Sequence, residues 1–242
     1  VIEPIVTRDH TERILAFFGA KLQRSGNSIT VTPGSTLTGQ TLNIPGDISS
    51  AAFFLVAAAI VPGSDLTLLG VGLNPTRSSL IKILKRMVAD ATVTPEGGSS
   101  WEPVGQIRIR SGSLKGVTLG PEEIPSLIDE LPILMVAATQ AEGVTRMEGV
   151  AELRVKETDR VHSMVTGLQA LGAHIQAQED AVVIEGPTRL QGASVESFSD
   201  HRTAMALAVA GLAAQGKTKI AGWEWVEISF PGFFQTLERI IQ

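Results

Sequence analysis

The sequence predicts an α/β chain turned inside out, with helices in the core and sheets on the surface. Two observations carry this. Three segments share one plan: an Asp, an apolar helix, a Gly, a short strand and a second Gly. The helices of that plan are apolar all round, and such a helix is buried rather than laid on a surface. The unit reads helix–strand–helix–strand–strand, about 70 residues long and present three times.

The elements follow in order. Residues 8–24 are expected to form a helix striped by Ile14, Leu15, Phe18 and Leu22, closed near Gly19, with a strand at 29–32 and a turn at Pro33-Gly34-Ser35 after it. The first unit has Asp47, a helix over 49–60, Gly63, a strand over 66–69 and Gly70. The second has Asp129, a helix over 132–141, Gly143, a strand over 144–147 and Gly149. The third has Asp200, a helix over 202–214, Gly216, a strand over 217–220 and Gly222. From Asp to the first Gly is 16, 14 and 16 residues. Second helices follow at 78–88, 156–171 and 233–240, and further strands near 107–109 and 182–184. Residues 1–37 resemble the tail of an earlier copy.

Composition narrows the function. The 242 residues are 43% hydrophobic with a net charge of −5, which argues against a nucleic-acid partner held by a broad basic face. There is no Cys, so disulfides, thiol nucleophiles and Cys-bound metals are excluded, and a reducing, cytoplasmic setting is expected. The longest apolar run, 51–61, is short of the ~20 residues that span a bilayer, so no membrane role is expected. The chain opens Val1-Ile2-Glu3-Pro4 and is already in mid-pattern at Thr7, so it is expected to be a piece of a longer protein.

The charged stretch Leu153-Arg-Val-Lys-Glu-Thr-Asp-Arg160 runs into the stripe Val161, Met164, Leu168 and Leu171. Extending the stripe back four residues lands on Glu157, which is therefore expected on the core-facing line in the first helical turn. Lys156 and Arg160, four apart, are expected on a flank of that helix, where like charges oppose each other by roughly 0.2–0.5 kcal/mol unless an anion lies between them. An ordinary charged first turn gives the same pattern. Asp47 reads as a helix cap. Asp129 does not: Pro132 suits the first helical position, making Leu131 the cap and leaving Asp129 free for a ligand. Arg202 opens an apolar helix at its positive end, which is unfavourable without an anion nearby. Arg8 poses a weaker version of the same question. His10 and His201 read as structural or hydrogen-bonding. If the ends of the repeats converge, Asp129 and Glu157 become acid–base groups beside cations Lys156, Arg160 and Arg202, in a pocket for a doubly anionic small molecule.

Six motifs add a resemblance: Thr7-Arg-Asp-His-Thr-Glu-Arg13, Pro45-Gly-Asp-Ile-Ser-Ser-Ala-Ala-Phe-Phe54, Ile128-Asp-Glu-Leu-Pro132, Leu153 to Arg160, Ser199-Asp-His-Arg-Thr-Ala-Met205 and Ser229-Phe-Pro-Gly-Phe233. In this order they resemble 5-enolpyruvylshikimate-3-phosphate synthase of the bacterial type, across the whole chain but only the C-terminal portion of the enzyme. The resemblance implies the inside-out α/β repeat fold of the enolpyruvyl transferases, with 1–37 as the tail of the N-terminal domain and 38–242 as the C-terminal domain. It implies transfer of the enolpyruvyl group of phosphoenolpyruvate to the 5-hydroxyl of shikimate 3-phosphate, with no cofactor or metal. It implies Asp129 as the acid–base aspartate by the shikimate ring and Glu157 as the methylene proton carrier. Lys156 would touch shikimate phosphate and hydroxyl, Arg160 and Arg202 would grip phosphoenolpyruvate, and Arg8 would face the shikimate phosphate.

The chain departs from the family pattern in places. Ile228 stands where many members carry Lys, and Val88 where a Gly often ends a helix. The family's N-terminal Lys-Ser-Arg cluster, a further Arg and a Ser-Ser-Gln stretch have no counterpart in these residues, so the missing N-terminal half is an expected partner. The chain alone is expected to bind shikimate 3-phosphate poorly and turn over negligibly. A UDP-N-acetylglucosamine enolpyruvyl transferase and a non-catalytic binding or assembly domain are the alternatives.

Overall fold

Three apolar helices pack against one another at the centre of the molecule: α2 (Ile48–Ile60), α4 (Leu131–Thr139) and α6 (His201–Ala213). The computed structural model describes residues 1–97 and 101–241. Every residue of α4 is buried, as are eleven residues of α2 and seven of α6. Each large apolar side chain buried there stabilises the fold by roughly 1.5–3 kcal/mol. The aromatic pairs Phe53–Phe233 and Phe54–Phe230 add edge-on contacts and bring α7 (Phe233–Ile240) onto the same core.

The sheets lie outside this bundle. Strands β3 (Asp65–Gly72), β4 (Asp90–Glu96) and β5 (Val104–Arg110) form one antiparallel sheet in the order β3–β5–β4. Strands β6 (Thr118–Leu119), β7 (Gly143–Glu148), β8 (His174–Ala177) and β9 (Ala181–Gly186) form another in the order β6–β7–β9–β8. Strands β10 (Ser194–Glu196) and β11 (Lys219–Ala221) pair in parallel. The helices α3 (Ser79–Arg86) and α5 (Arg160–Ala170) complete the first two units. The order is that of the expected unit: α2–β3–α3–β4–β5, α4–β7–α5–β8–β9 and α6–β11–α7.

One feature of the repeat was not foreseen. Ahead of each buried helix the chain runs parallel to the strand that follows it. Gly46, Gly116 and Gly192 donate equivalent backbone hydrogen bonds to Gly70, Glu142 and Gln215, at 2.8, 2.9 and 2.7 Å. The strands β6 and β10 are the longer forms of that approach, and they are too short to show periodicity. A Cβ on Gly116 or Gly192 would fall 2.4 or 2.5 Å from the facing backbone oxygen, so only Gly permits this approach.

Three of the boundaries that differ from expectation bear on the site. The first helix, α1, is shorter: His10–Phe17. It ends because Gly19 turns the chain at φ +98°, and Leu22 then opens strand β1 (Leu22–Ser25), paired with β2 (Ser28–Val31). Next, α4 begins at Leu131 with Glu130 at the N-cap position, where its side chain makes no capping bond, so Asp129 lies one residue outside that position rather than two. Most consequentially, the helix expected from Lys156 begins at Arg160. A 3-10 turn, Ala151–Val155, precedes it, and Asp159 caps it from an extended conformation by accepting the His162 N–H at 2.9 Å. Glu157 is therefore not on the core line; its side chain is 53% exposed. Lys156 and Arg160 are not on a common flank either: Lys156 pairs with Glu152, while Arg160 turns inward and is 1% exposed. The stripe Val161, Met164, Leu168 and Leu171 is fully buried. Val88 has φ +65°, the left-handed turn that a Gly would take without strain.

Candidate active site

The approach to α4 sets Asp129 at the middle of the charged groups. The Asp129 carboxylate, just outside the N-cap position of α4, meets four guanidiniums from four separate segments. Arg8, from the segment before α1, donates to Oδ2. Arg77, from the turn before α3, approaches the same oxygen at 3.7 Å. Arg160, the first residue of α5, and Arg202, near the start of α6, approach Oδ1 at 3.7 and 3.5 Å. Burial alone would raise the Asp129 carboxyl, but the charges of Arg202, Arg8, Arg77 and Arg160 outweigh it and hold the group below its ordinary range. The unfavourable Arg at the start of α6 is thus answered by a protein anion: Arg202 Nη1 also donates to the Asp129 carbonyl at 3.2 Å.

A cavity of about 530 Å³ opens beside this cluster, lined by Arg8, Asp129, Glu152, Lys156, Glu157 and Arg160 among others. Five of the six residues singled out in the sequence therefore face one space. Arg202 does not line it; it reaches Asp129 from the side. Glu157 accepts from Arg160, so both carboxylates touch the same guanidinium while staying at the cavity wall. Two ionisable oxygen pairs beside fixed cations can exchange protons with a bound molecule, and the cations can hold an anion between them. Among the described residues no group of three His, Asp or Glu side chains is arranged to hold a metal ion.

Sequence reasoning missed the groups behind the wall. Asp200, marked in the sequence only as the Asp ahead of the third buried helix, caps that helix by accepting the Thr203 N–H at 2.8 Å. It also accepts from Arg160 Nε at 2.9 Å, and both side chains are essentially inaccessible. Arg77, Glu130 and Ser49 form a second buried group: Ser49 donates to Glu130, and Arg77 donates to Ser49. Burial raises the Glu130 carboxyl above its ordinary range against the opposing effects of Arg77 and Ser49. The signal for Arg77 was there, an Arg after an Asn-Pro turn at the mouth of a helix, the same oddity that marked Arg202. His10 lies 3.3 Å from the buried Glu102, and Asp9 accepts from Arg13 and Asn74, so the segment carrying Arg8 is tied to the rest by polar contacts.

A family model for EPSP synthase, 3-phosphoshikimate 1-carboxyvinyltransferase, matches residues 2–237. The chain belongs to the EPSP synthase family. Among its EPSP synthase relatives, a 3-phosphoshikimate 1-carboxyvinyltransferase from Bacillus cereus is 48% identical over 240 residues, covering 99% of this chain and 56% of the relative. A Bacillus anthracis protein of the same name is also 48% identical. The solved EPSP synthase from Acinetobacter baumannii superposes with a TM-score of 0.94 at 45% identity, over 99% of this chain and 56% of that one. The enolpyruvyl transferase NikO from Streptomyces tendae shares the fold, with a TM-score of 0.75 at 18% identity, over 99% of this chain and 54% of that one. The chain thus spans about 56% of the length of the EPSP synthases it matches.

Proposed function

We propose that this chain supplies the C-terminal part of an enzyme that moves the enolpyruvyl group of phosphoenolpyruvate to the 5-hydroxyl of shikimate 3-phosphate. Residues 1–37 would then close a preceding domain and 38–242 form the second. The observation that carries the reading is the convergence of Asp129 and Glu157 on Arg160 at the wall of a cavity that Arg8 and Lys156 also line. Family membership supports it independently.

In this reading the hydroxyl oxygen of the acceptor bonds to C2 of phosphoenolpyruvate. Its proton passes to a basic group by the ring, which is Asp129. The methylene carbon gains a proton from Glu157, giving a tetrahedral adduct. Glu157 then takes a proton back from the new methyl group as the C–O bond to phosphate breaks, and inorganic phosphate leaves with the proton that Asp129 had taken. Arg160 and Arg202 hold the phosphoenolpyruvate anion, and Lys156 and Arg8 the shikimate 3-phosphate. The exposure of Glu157 suits a group that must reach a carbon on the ligand. Ile228, 69% exposed, supplies no cation, so phosphoenolpyruvate is gripped without a Lys there. A reducing, cytoplasmic setting accords with the absence of Cys.

The test is phosphate release from phosphoenolpyruvate with shikimate 3-phosphate, and separately with UDP-N-acetylglucosamine, as acceptor. It is run on this chain alone and on this chain joined at Val1 to the N-terminal part of the Bacillus cereus relative. The joined protein is expected to release phosphate only with shikimate 3-phosphate, and Asp129→Asn to abolish it. Activity with the UDP-sugar instead, or a folded joined protein inactive with both, would overturn the reading.

A further inference from the structure

Three of the four guanidiniums around Asp129 have another task or an open path to solvent. Arg8 is half-exposed and lines the cavity, and Arg160 lines it too. Arg202 is engaged with the Asp129 carbonyl. Arg77 differs. Its side chain is 10% exposed, and it lies outside the wall of that cavity. Its remaining partners are Ser49 and Glu130, with Glu130 Oε1 at 3.5 Å from Nη2. Glu130 itself is fully buried, and its Oε2 has no hydrogen-bond partner among the described residues. Ser49 joins the two by donating to Glu130 while accepting from Arg77.

The backbone that delivers Arg77 is also constrained. Arg77 N–H donates to the Asn74 carbonyl at 2.9 Å, and the buried Asn74 side chain donates to Asp9 at 2.7 Å. Asp9 follows Arg8 directly. The two arginines that meet Asp129 Oδ2 therefore come from segments hydrogen-bonded to each other.

We propose that Arg77, anchored by Ser49 and Glu130, is the positioning residue for the Asp129 carboxylate, fixing Oδ2 from behind so that the carboxylate stays ionised and aimed when an anion draws the half-exposed Arg8 into the cavity. The proposal rests on the reading that Asp129 is an acid–base group. A buried guanidinium held at two further points keeps its geometry, whereas an exposed one does not. The charged groups facing Asp129 are Arg8, Arg77, Arg160, Arg202 and its neighbour Glu130, and Arg77 is among those that lower it.

The experiment is a carbon-detected NMR titration of the side-chain carboxyl of Asp129 in the 242-residue chain, assigned through Asp129→Asn. Arg77→Gln is expected to move the midpoint upward, and Arg77→Lys to return part of the shift. Arg8→Gln, which removes the half-exposed guanidinium that donates to the same oxygen, is expected to move it upward as well. Ser49→Ala, which keeps the Arg77 guanidinium and removes one of its two anchors, is expected to shift it in the same direction by less. An unchanged midpoint in Arg77→Gln or Ser49→Ala, or Arg77→Lys behaving as Arg77→Gln, would overturn the proposal. No substrate is used, so this outcome is separate from the phosphate-release test, which can fail alone.

Discussion

Replacing Arg160 by Met tests whether the buried pair at the start of α5 is as consequential as its geometry implies. Met keeps an unbranched apolar stem and drops the guanidinium, so the change removes chiefly charge and its hydrogen bonds. Arg160 is 1% exposed, and Asp200, which it meets at 2.9 Å, is 0% exposed. Removing one member of such a pair strands the other in a dry interior and typically costs ~3–5 kcal/mol. Asp200 retains the Thr203 N–H at 2.8 Å, which places the expectation near the lower end. For a chain this long each kcal/mol lowers the unfolding midpoint by about 2 °C, so a fall of about 6 °C is expected. Scanning calorimetry and urea titration at neutral pH measure it. Arg154→Met is the control: its pair with Asp159 has side chains 34% and 36% exposed, so its loss should be under ~1 kcal/mol. The double variant Arg160→Met/Asp200→Asn should lose less than Arg160→Met alone, because no buried charge is left unpaired. A loss for Arg160→Met no larger than the control, or a double variant as poor as the sum of its singles, would refute the reasoning.

Three further outcomes follow from other parts of the structure. Asp47 accepts the N–H groups of Ser49 and Ser50 at 3.2 and 3.0 Å, so Asp47→Ala should lower stability by about 1 kcal/mol, read as a fall of about 2 °C in the unfolding midpoint. Gly192→Ala puts a Cβ 2.5 Å from the Lys217 carbonyl and should cost ~1–3 kcal/mol by urea denaturation. Burial first, then Arg202, lowers the His201 imidazolium below its ordinary 6.5, against the opposing pull of Asp200. The unfolded chain then takes up a proton before the folded one, so stability is complete above 6.5 and falls as pH drops below it. His201→Gln should flatten that slope in urea midpoints measured between about pH 5 and 8.

Much of the fold was legible because burial leaves a local trace. A helix with no polar face, repeated three times after an Asp and before a Gly, reports its surroundings through composition alone, and α2, α4 and α6 are the core. The short parallel strands were not legible, since two or three residues carry no period. The start of α5 misled for a related reason: the apolar stripe of Val161 to Leu171 is genuine, but extrapolating it back one turn ignored Asp159, whose cap stops the helix and releases Glu157 to the cavity.

By itself, then, the sequence determined the inside-out layering and marked Arg8, Asp129, Lys156, Glu157, Arg160 and Arg202 as residues out of place in their local company. Only the tertiary structure decided which charges meet. Asp129 draws arginines from positions 8, 77, 160 and 202, and Arg160 finds Asp200 across forty residues. Hydrophobic burial is a property of one element at a time, so it can be read along the chain. An ion pair is a property of two elements brought together by the core, and no local pattern records it.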